Sequence, residues 1–351
     1  MKRSAKFYTP MFSADAPPAP LLAAAAAFLT LCLMLCSLFV GAVRIPPAEV
    51  LAWATGGALP ARSRLLLSVL RWPRTLACAL CGASLAVSGV LLQNALGNPL
   101  AGPSTIGVNA GAGLWFVIGA LLFPHVPAVR GAAVLPGAMG NACLVMLISR
   151  RAGASRLTIV LAGVALSAFS SAVIDAIVTW RPDILVDRAA FSIGGFAGVA
   201  AMDSVFFALP CLCAGFAGAI LLAGRLDILR LGDDVASSLG LPARAVRLSA
   251  VLCGAALAAG AVSICGMIGF VGLIVPHIAR RALRGGDAAG KTLPLIAVAA
   301  FAGASLVLLC DLLARTLFAP YEAPVGIPLS FLGAPFFLYL LMTGKRGRVL
   351  S

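Results

Sequence analysis

The chain has 351 residues, 61% of them hydrophobic and only 11% charged, with a mean hydropathy of +1.05. Soluble domains carry about 25% charged residues, so a water-facing surface cannot be built from this composition and a bilayer is the expected solvent. The formal net charge of +14 would raise nucleic acid in a soluble protein, but here the basic residues fall in short connections between apolar runs, where they report topology.

Lys2, Arg3 and Lys6 precede Leu21–Val43, an uninterrupted apolar run of 23 residues with no small-residue cleavage site. It reads as a retained first span rather than a signal peptide. A connection rich in arginine follows (Arg44, Arg62, Arg64, Arg71, Arg74). Further apolar segments place span 2 at about Leu76–Ala95, span 3 at Ile106–Phe123, span 4 at Gly131–Ile148, span 5 at Leu157–Val178 and span 6 at Val205–Ala223. The uncharged run Leu248–Ile278, 31 residues long, exceeds one untilted span, and Gly260, Gly266, Gly269, Gly272 and Pro276 interrupt its second half. Span 7 is read as about Leu248–Ala261, followed by a short, broken return that must be buried in protein or line a cavity. Span 9 is Leu293–Leu317 and span 10 is Val325–Thr343.

The expected fold is therefore all-α and polytopic, with about ten spans of roughly 20 residues each. Residues 21–345 are expected to form a single transmembrane domain with a cytoplasmic loop at about 225–247, and 1–20 and 346–351 are short tails. With the N-terminus placed inside, 17 lysines and arginines fall in inside connections and 9 outside, which puts both termini in the cytoplasm of an inner-membrane protein.

No reaction chemistry is legible. The ten cysteines lie within apolar runs and behave as small hydrophobes; Cys78 and Cys81 have no second pair or histidine cluster, so no metal site or cofactor is expected. A phosphate-binding Gly-x-x-x-x-Gly-Lys-Ser/Thr loop is missing, so the chain cannot hydrolyse ATP by itself. Asp175 and Asp311 are the notable intramembrane acids and hence candidate functional groups, but Asp311 stands four residues before Arg315, and an ion pair within one helix accounts for it. A proton-coupled carrier would need more cavity-facing acids, and a membrane-embedded enzyme a nucleophile or metal constellation.

Four local patterns remain. The first is Arg71-Trp72-Pro73-Arg74 followed by Gly82-Ala83-Ser84-Leu85-Ala86 and Gly89; the second is Gln93, then Asn98-Pro99-Leu100-Ala101-Gly102-Pro103, Gly107 and Gly111-Ala112. The third runs from Gly269-Phe270-Val271-Gly272 through Pro276-His277 to Arg280; the fourth is Pro324-Val325-Gly326-Ile327 with Gly333-Ala334-Pro335-Phe336-Phe337. In the 225–247 loop, Asp233 and Asp234 suit a helix N-terminus, Gly240 its C′ position and Pro242 the start of another helix, so two short helices are expected to meet at a corner. Pro99 stops the helix of span 2 and leaves Asn98 extended, either a fixed constriction or a plain helix-ending turn.

In order and spacing these patterns resemble the FecCD-type family of ABC importer permeases, over about residues 20–345. The resemblance implies two such subunits side by side, as a homodimer, with a translocation path between them. Two cytoplasmic ATPase subunits and an external, acidic-patched substrate-binding protein complete the system, and lipid surrounds it; nucleic acid has no part. The implied substrate is an iron chelate, a ferric siderophore first, with haem or cobalamin as alternatives. By the same resemblance Arg71, Arg74 and Arg315 dock the binding protein, Asn98 and Leu100 belong to the cytoplasmic gate, Asp233, Asp234, Leu239 and Gly240 couple to the ATPase, and Ser167, Ser170 and Ser171 lie on the path, where they could equally hydrogen-bond neighbouring helices.

Overall fold

The computed structural model describes residues 18–41, 43–196, 201–284, 288–317 and 321–344. Most of both tails, with Lys2, Arg3, Lys6, Lys345, Arg346 and Arg348, lies outside the described residues. Among those described the chain is helical throughout: α1 Ala19–Phe39, α2 Pro47–Thr55, α3 Ala61–Leu65, α4 Trp72–Leu96, α5 Val108–Leu122, α6 Pro127–Arg151, α7 Arg156–Trp180, α8 Leu185–Ile193, α9 Ala201–Leu229, α10 Asp233–Ser238, α11 Ala243–Cys265, α12 Val271–Ala282, α13 Thr292–Thr316 and α14 Gly326–Gly344. Seven of the helical segments are long and apolar enough to cross a membrane, and α5 and α14 add two shorter apolar ones. With α12 these make the ten segments expected.

The core is built around α4, which packs against α1, α9, α11, α12 and α13. Close approach of backbones makes this possible. A Cβ on Gly82 would strike the backbone of Gly303 in α13, and one on Gly89 the backbone of Gly272 in α12, so glycines of the first and third patterns are the price of a helix this deep in the bundle. The Ala61–Leu96 rod and α11 are mostly buried, whereas α1 and α7 are mostly uncovered. α7 leaves Ala165, Ala168, Ala172 and Ala176 uncovered, a face of small residues suited to another helix.

The interrupted return is present and satisfies its own backbone. α11 ends at Cys265, and the chain runs unwound from Gly266 to Phe270 before α12. At about 1.5 Å per residue, the 12 residues of α12 reach only part of the way across a hydrocarbon core of about 30 Å. The unwound segment bonds to α8 and its flank: the Met267 amide donates to the Phe191 carbonyl (2.9 Å) and the Gly195 amide to the Cys265 carbonyl (2.8 Å). Phe270, at φ +68°, lays its ring against Gly333 of α14, where a Cβ would collide with it. The third and fourth patterns are thus the two halves of one contact.

Three boundaries differ from expectation. Span 2 does not begin near Leu76: one helical rod runs from Ala61 to Leu96, through a π-helical segment at Leu66–Arg71. α8 is not anticipated at all; Phe191 locks it to α5 by stacking on Phe116 (ring centroids 4.3 Å). The 225–247 loop holds one short helix, α10, rather than two, because Pro242 caps the long α11 directly.

Candidate functional site

At one end of the bundle Arg71 and Arg74, neighbours at the start of α4, meet the distant Arg315 of α13. Arg71 donates to the carbonyls of Leu38 (2.5 Å) and Val43. Arg74 pairs with Asp311 (2.9 Å) and Glu322 (2.6 Å), and Asp311 also pairs with Arg315 at 3.0 Å. The Arg315 guanidinium donates to the Ser37 hydroxyl (2.7 Å), which bonds Thr75. The intrahelical pair expected from the sequence is therefore present, but Arg74, from α4, shares its carboxylate. Arg71 and Arg315 are only 6% and 4% exposed; the Arg74 side chain keeps 13%. The corner carries three cations and two anions. Arg44, Arg62 and Arg64, also of this end, are exposed and make no ion pair or hydrogen bond among the described residues. An Arg71→Glu exchange would bury a carboxylate against two carbonyl oxygens and so disrupt the corner itself.

At the opposite end α4 stops at Gly97, in the left-handed region at φ +61°. The Asn98 side-chain oxygen accepts the Leu100 amide (2.9 Å), and the Ala101 amide donates to the Asn98 carbonyl (3.1 Å). The turn is thus fixed by its own bonds, and Leu100 stands out at its tip, 42% exposed. The fixed turn expected from Pro99 is present.

Arg247 sits directly behind this turn. It is 1% exposed, yet all of its polar head is engaged: Nε donates to the Ala95 carbonyl (3.2 Å), Nη1 to the Ala154 carbonyl (3.1 Å), and Nη2 to both Asp233 carboxylate oxygens (2.5 and 2.6 Å). Arg156 reaches the same carboxylate at 3.2 Å, and its guanidinium lies against Gly97. Burial acts to raise the Asp233 carboxyl, but Arg247 and Arg156 outweigh it and hold it below the usual carboxylate range. The first residue of α10 is consequently tied to the last turn of α4, just ahead of Asn98.

α10 ends as its sequence demands. The Gly240 amide donates to the Ser237 carbonyl and the Leu241 amide to the Ala236 carbonyl, with Gly240 at φ +77°; this is a Schellman ending. Leu231, Val235 and Leu239, four residues apart, are 64%, 44% and 63% exposed. They form an apolar stripe on the short helix and its flank, beside the exposed Asp234.

The three serines do not act together. Ser170 is buried, Ser167 is half-buried, and Ser171 is exposed and lines a cleft of about 160 Å³ with Asn109, Ser192 and Arg188. Asp175 pairs with Arg188 (2.9 Å). Gln93, quoted in the second pattern without a role, accepts from Arg280 (2.5 Å) and donates to the Gly272 carbonyl (3.0 Å), holding α12 to α4. Arg247 itself was counted only as an inside charge. The signal was its place on the stripe Ala243, Arg247, Ala250, Gly254, Ala258, all otherwise small and apolar.

The profile of the FecCD transport family matches residues 29–343. The Fe(3+)-citrate import system permease protein YfmD of Bacillus subtilis (strain 168) is 36% identical over 81% of this chain and 83% of its own length. The achromobactin transport system permease protein CbrC of Dickeya dadantii is 36% identical over 90% of each chain. The vitamin B12 import system permease protein BtuC of Vibrio cholerae is 35% identical over 90% of this chain and 91% of its own. A solved structure described as an inward-facing conformation of an ABC transporter of metal-chelate type superposes with a TM-score of 0.78 at 27% identity, covering 92% of this chain and 99% of that one. The chain is a multi-pass membrane protein and belongs to the FecCD transport family of importer permeases.

Proposed function

We propose that this chain is the membrane-spanning subunit of a binding-protein-dependent ABC importer that carries a ferric siderophore across the inner membrane, using ATP hydrolysed by a separate subunit. One observation carries the reading: α10, with an uncovered apolar stripe, is bonded through Asp233 and Arg247 to the end of α4 that leads into the turn of Asn98 and Leu100. An exposed apolar stripe on a polar face calls for a partner, and here the partner is the ATPase, with Asp233, Asp234, Leu239 and Gly240 forming its seat. Both termini face the cytoplasm, residues 21–345 form one permease domain, and two copies pack along the small-residue face of α7, with Ser171 towards the path.

The three-arginine corner is the outer docking site for an acidic binding protein. Arg74 is the member a partner carboxylate reaches, by exchanging with Glu322, while Arg71 and Arg315 set the field behind it. Ferric chelates come first because relatives named for iron citrate and achromobactin stand beside the one named for vitamin B12. The test is uptake into vesicles holding the assembled complex and its binding protein, offered ferric citrate, ferric hydroxamates, haem and cobalamin in turn. ATP-dependent uptake of a ferric chelate alone is expected; uptake of haem or cobalamin alone would overturn the substrate, and uptake driven by a proton gradient without ATP would overturn the class.

A further inference from the structure

α6 and α11 run antiparallel and diverge at the Arg247 end of the bundle, leaving a groove of about 750 Å³ between them. Its walls are two helical stripes. On α6 the stripe runs from Met146 and Leu147 to Arg150 in the last turn; on α11 it runs from Arg244 in the first turn to Leu248 and Leu252. Sequence direction is opposite, but both stripes put arginine at the same end and apolar side chains deeper. Arg150 and Arg244 are exposed, and neither makes an ion pair or hydrogen bond among the described residues. Asp233, a carboxylate of this end, is already held by Arg156 and Arg247, and Arg230 donates to the Gly290 carbonyl. Two uncompensated cations thus stand over an apolar slot whose wall residues Leu147 and Leu252 are exposed on a bundle solvated by lipid.

We propose that this groove binds an anionic glycerophospholipid from the leaflet at that end, the cytoplasmic one under the proposed function. One or both acyl chains fill the slot along Met146, Leu147, Leu248 and Leu252, and the phosphate takes hydrogen bonds from the forked donors of Arg150 and Arg244. Basic pockets between membrane helices select such headgroups. A zwitterionic lipid supplies the same phosphate but adds an ammonium group, which two unpaired arginines repel. Neither family membership nor the proposed transport cycle requires this site.

The test uses the full chain purified in detergent and native mass spectrometry. Phosphatidylglycerol, phosphatidylcholine with the same acyl chains, and soluble glycerol phosphate are offered separately. The wild type is expected to retain phosphatidylglycerol at least tenfold more than phosphatidylcholine, and to retain no glycerol phosphate. The preference is lost in Arg150→Gln/Arg244→Gln and kept in Arg150→Lys/Arg244→Lys. Leu248→Trp, which fills the slot and leaves both arginines in place, loses both lipids and serves if the charge variants fail to express. Equal retention of phosphatidylglycerol by wild type and both of these site variants would overturn the proposal. So would equal retention of phosphatidylcholine by the wild type, or retention of glycerol phosphate alone, which would mark an anion site without a lipid.

Discussion

Arg247 and Asp233 share two hydrogen bonds, 2.5 and 2.6 Å long, across the junction between α10 and the bundle, and the same guanidinium holds the carbonyls of Ala95 and Ala154. One buried side chain therefore joins α10, the α6–α7 connection and the end of α4. A planar fork presents its donors to these acceptors in fixed directions, whereas an ammonium is a point charge with rotatable donors.

Arg247→Met removes that fork and leaves two buried carbonyls without donors. At about 1–3 kcal/mol for each unsatisfied group, the loss is expected to reach about 2–6 kcal/mol, seen as a lowered thermal midpoint of the detergent-solubilised chain. Arg247→Lys should fall between the two. A midpoint unchanged in Arg247→Met would mean that the junction does not depend on this residue.

The Asp233 carboxyl sits below the usual carboxylate range despite the opposing effect of burial, because Arg247 and Arg156 favour its charged form. A depressed pKa contributes stability that is complete above the unfolded value, about 3.9, and is lost as pH falls through the lower, folded value. The loop 229–242 should thus resist limited proteolysis at pH 5 and above and open only below about pH 4. Asp233→Ala should show an already opened loop and no such acid step. Identical acid profiles for the two proteins would remove the junction from the account.

Gly240 adopts φ +77° with open space where a Cβ would stand. The cost of a branched residue is therefore in the backbone, about 1–2 kcal/mol for a left-handed residue, rather than in a clash. Gly240→Val should leave insertion and the bundle's thermal midpoint nearly unchanged. It should loosen the end of α10, so that binding-protein-stimulated ATP hydrolysis in the assembled complex falls while basal hydrolysis remains. Wild-type stimulation would show that the conformation of this corner is immaterial.

At the far end, Asp311 is fully buried between Arg74 and Arg315. Removing one partner of a buried ionic group typically costs about 3–5 kcal/mol, so Asp311→Ala should lose folded protein in detergent. Glu322→Gln removes only a half-exposed partner and should instead raise affinity for an acidic binding protein by freeing Arg74, most clearly at low salt. Weaker docking in Glu322→Gln would contradict the assignment of Arg74.

Much of this architecture was legible because hydrophobic run length is a direct physical requirement of the bilayer. The break between α11 and α12 was legible from its glycines, and the corner at Gly240 from its left-handed C′ residue. α8 was not: its nine residues are too few for a span, and Asp187 and Arg188 within it read as loop. The upward extension of α4 to Ala61 was hidden by the same habit, since Arg62, Arg64 and Arg71 looked like connection. Arg71, Arg74 and Arg315 were singled out from the sequence, but their shared corner was not foreseen, because Arg74 meets an acid 237 residues away and no local pattern encodes that pairing. Arg247 was overlooked for a related reason: its place on an apolar stripe was visible, but its three partners come from three separate segments.

The most direct test of the link between α10 and the proposed gate at Asn98 and Leu100 is the ratio of substrate moved to ATP hydrolysed in the assembled complex. Asp233→Ala severs the junction and takes one carboxylate from the proposed ATPase seat, while Leu231, Val235 and Leu239 remain in it. A complex that still assembles and hydrolyses ATP is expected, with uptake per ATP reduced at least tenfold. An Asp233→Ala complex that assembles, hydrolyses ATP and imports with the wild-type ratio would contradict it.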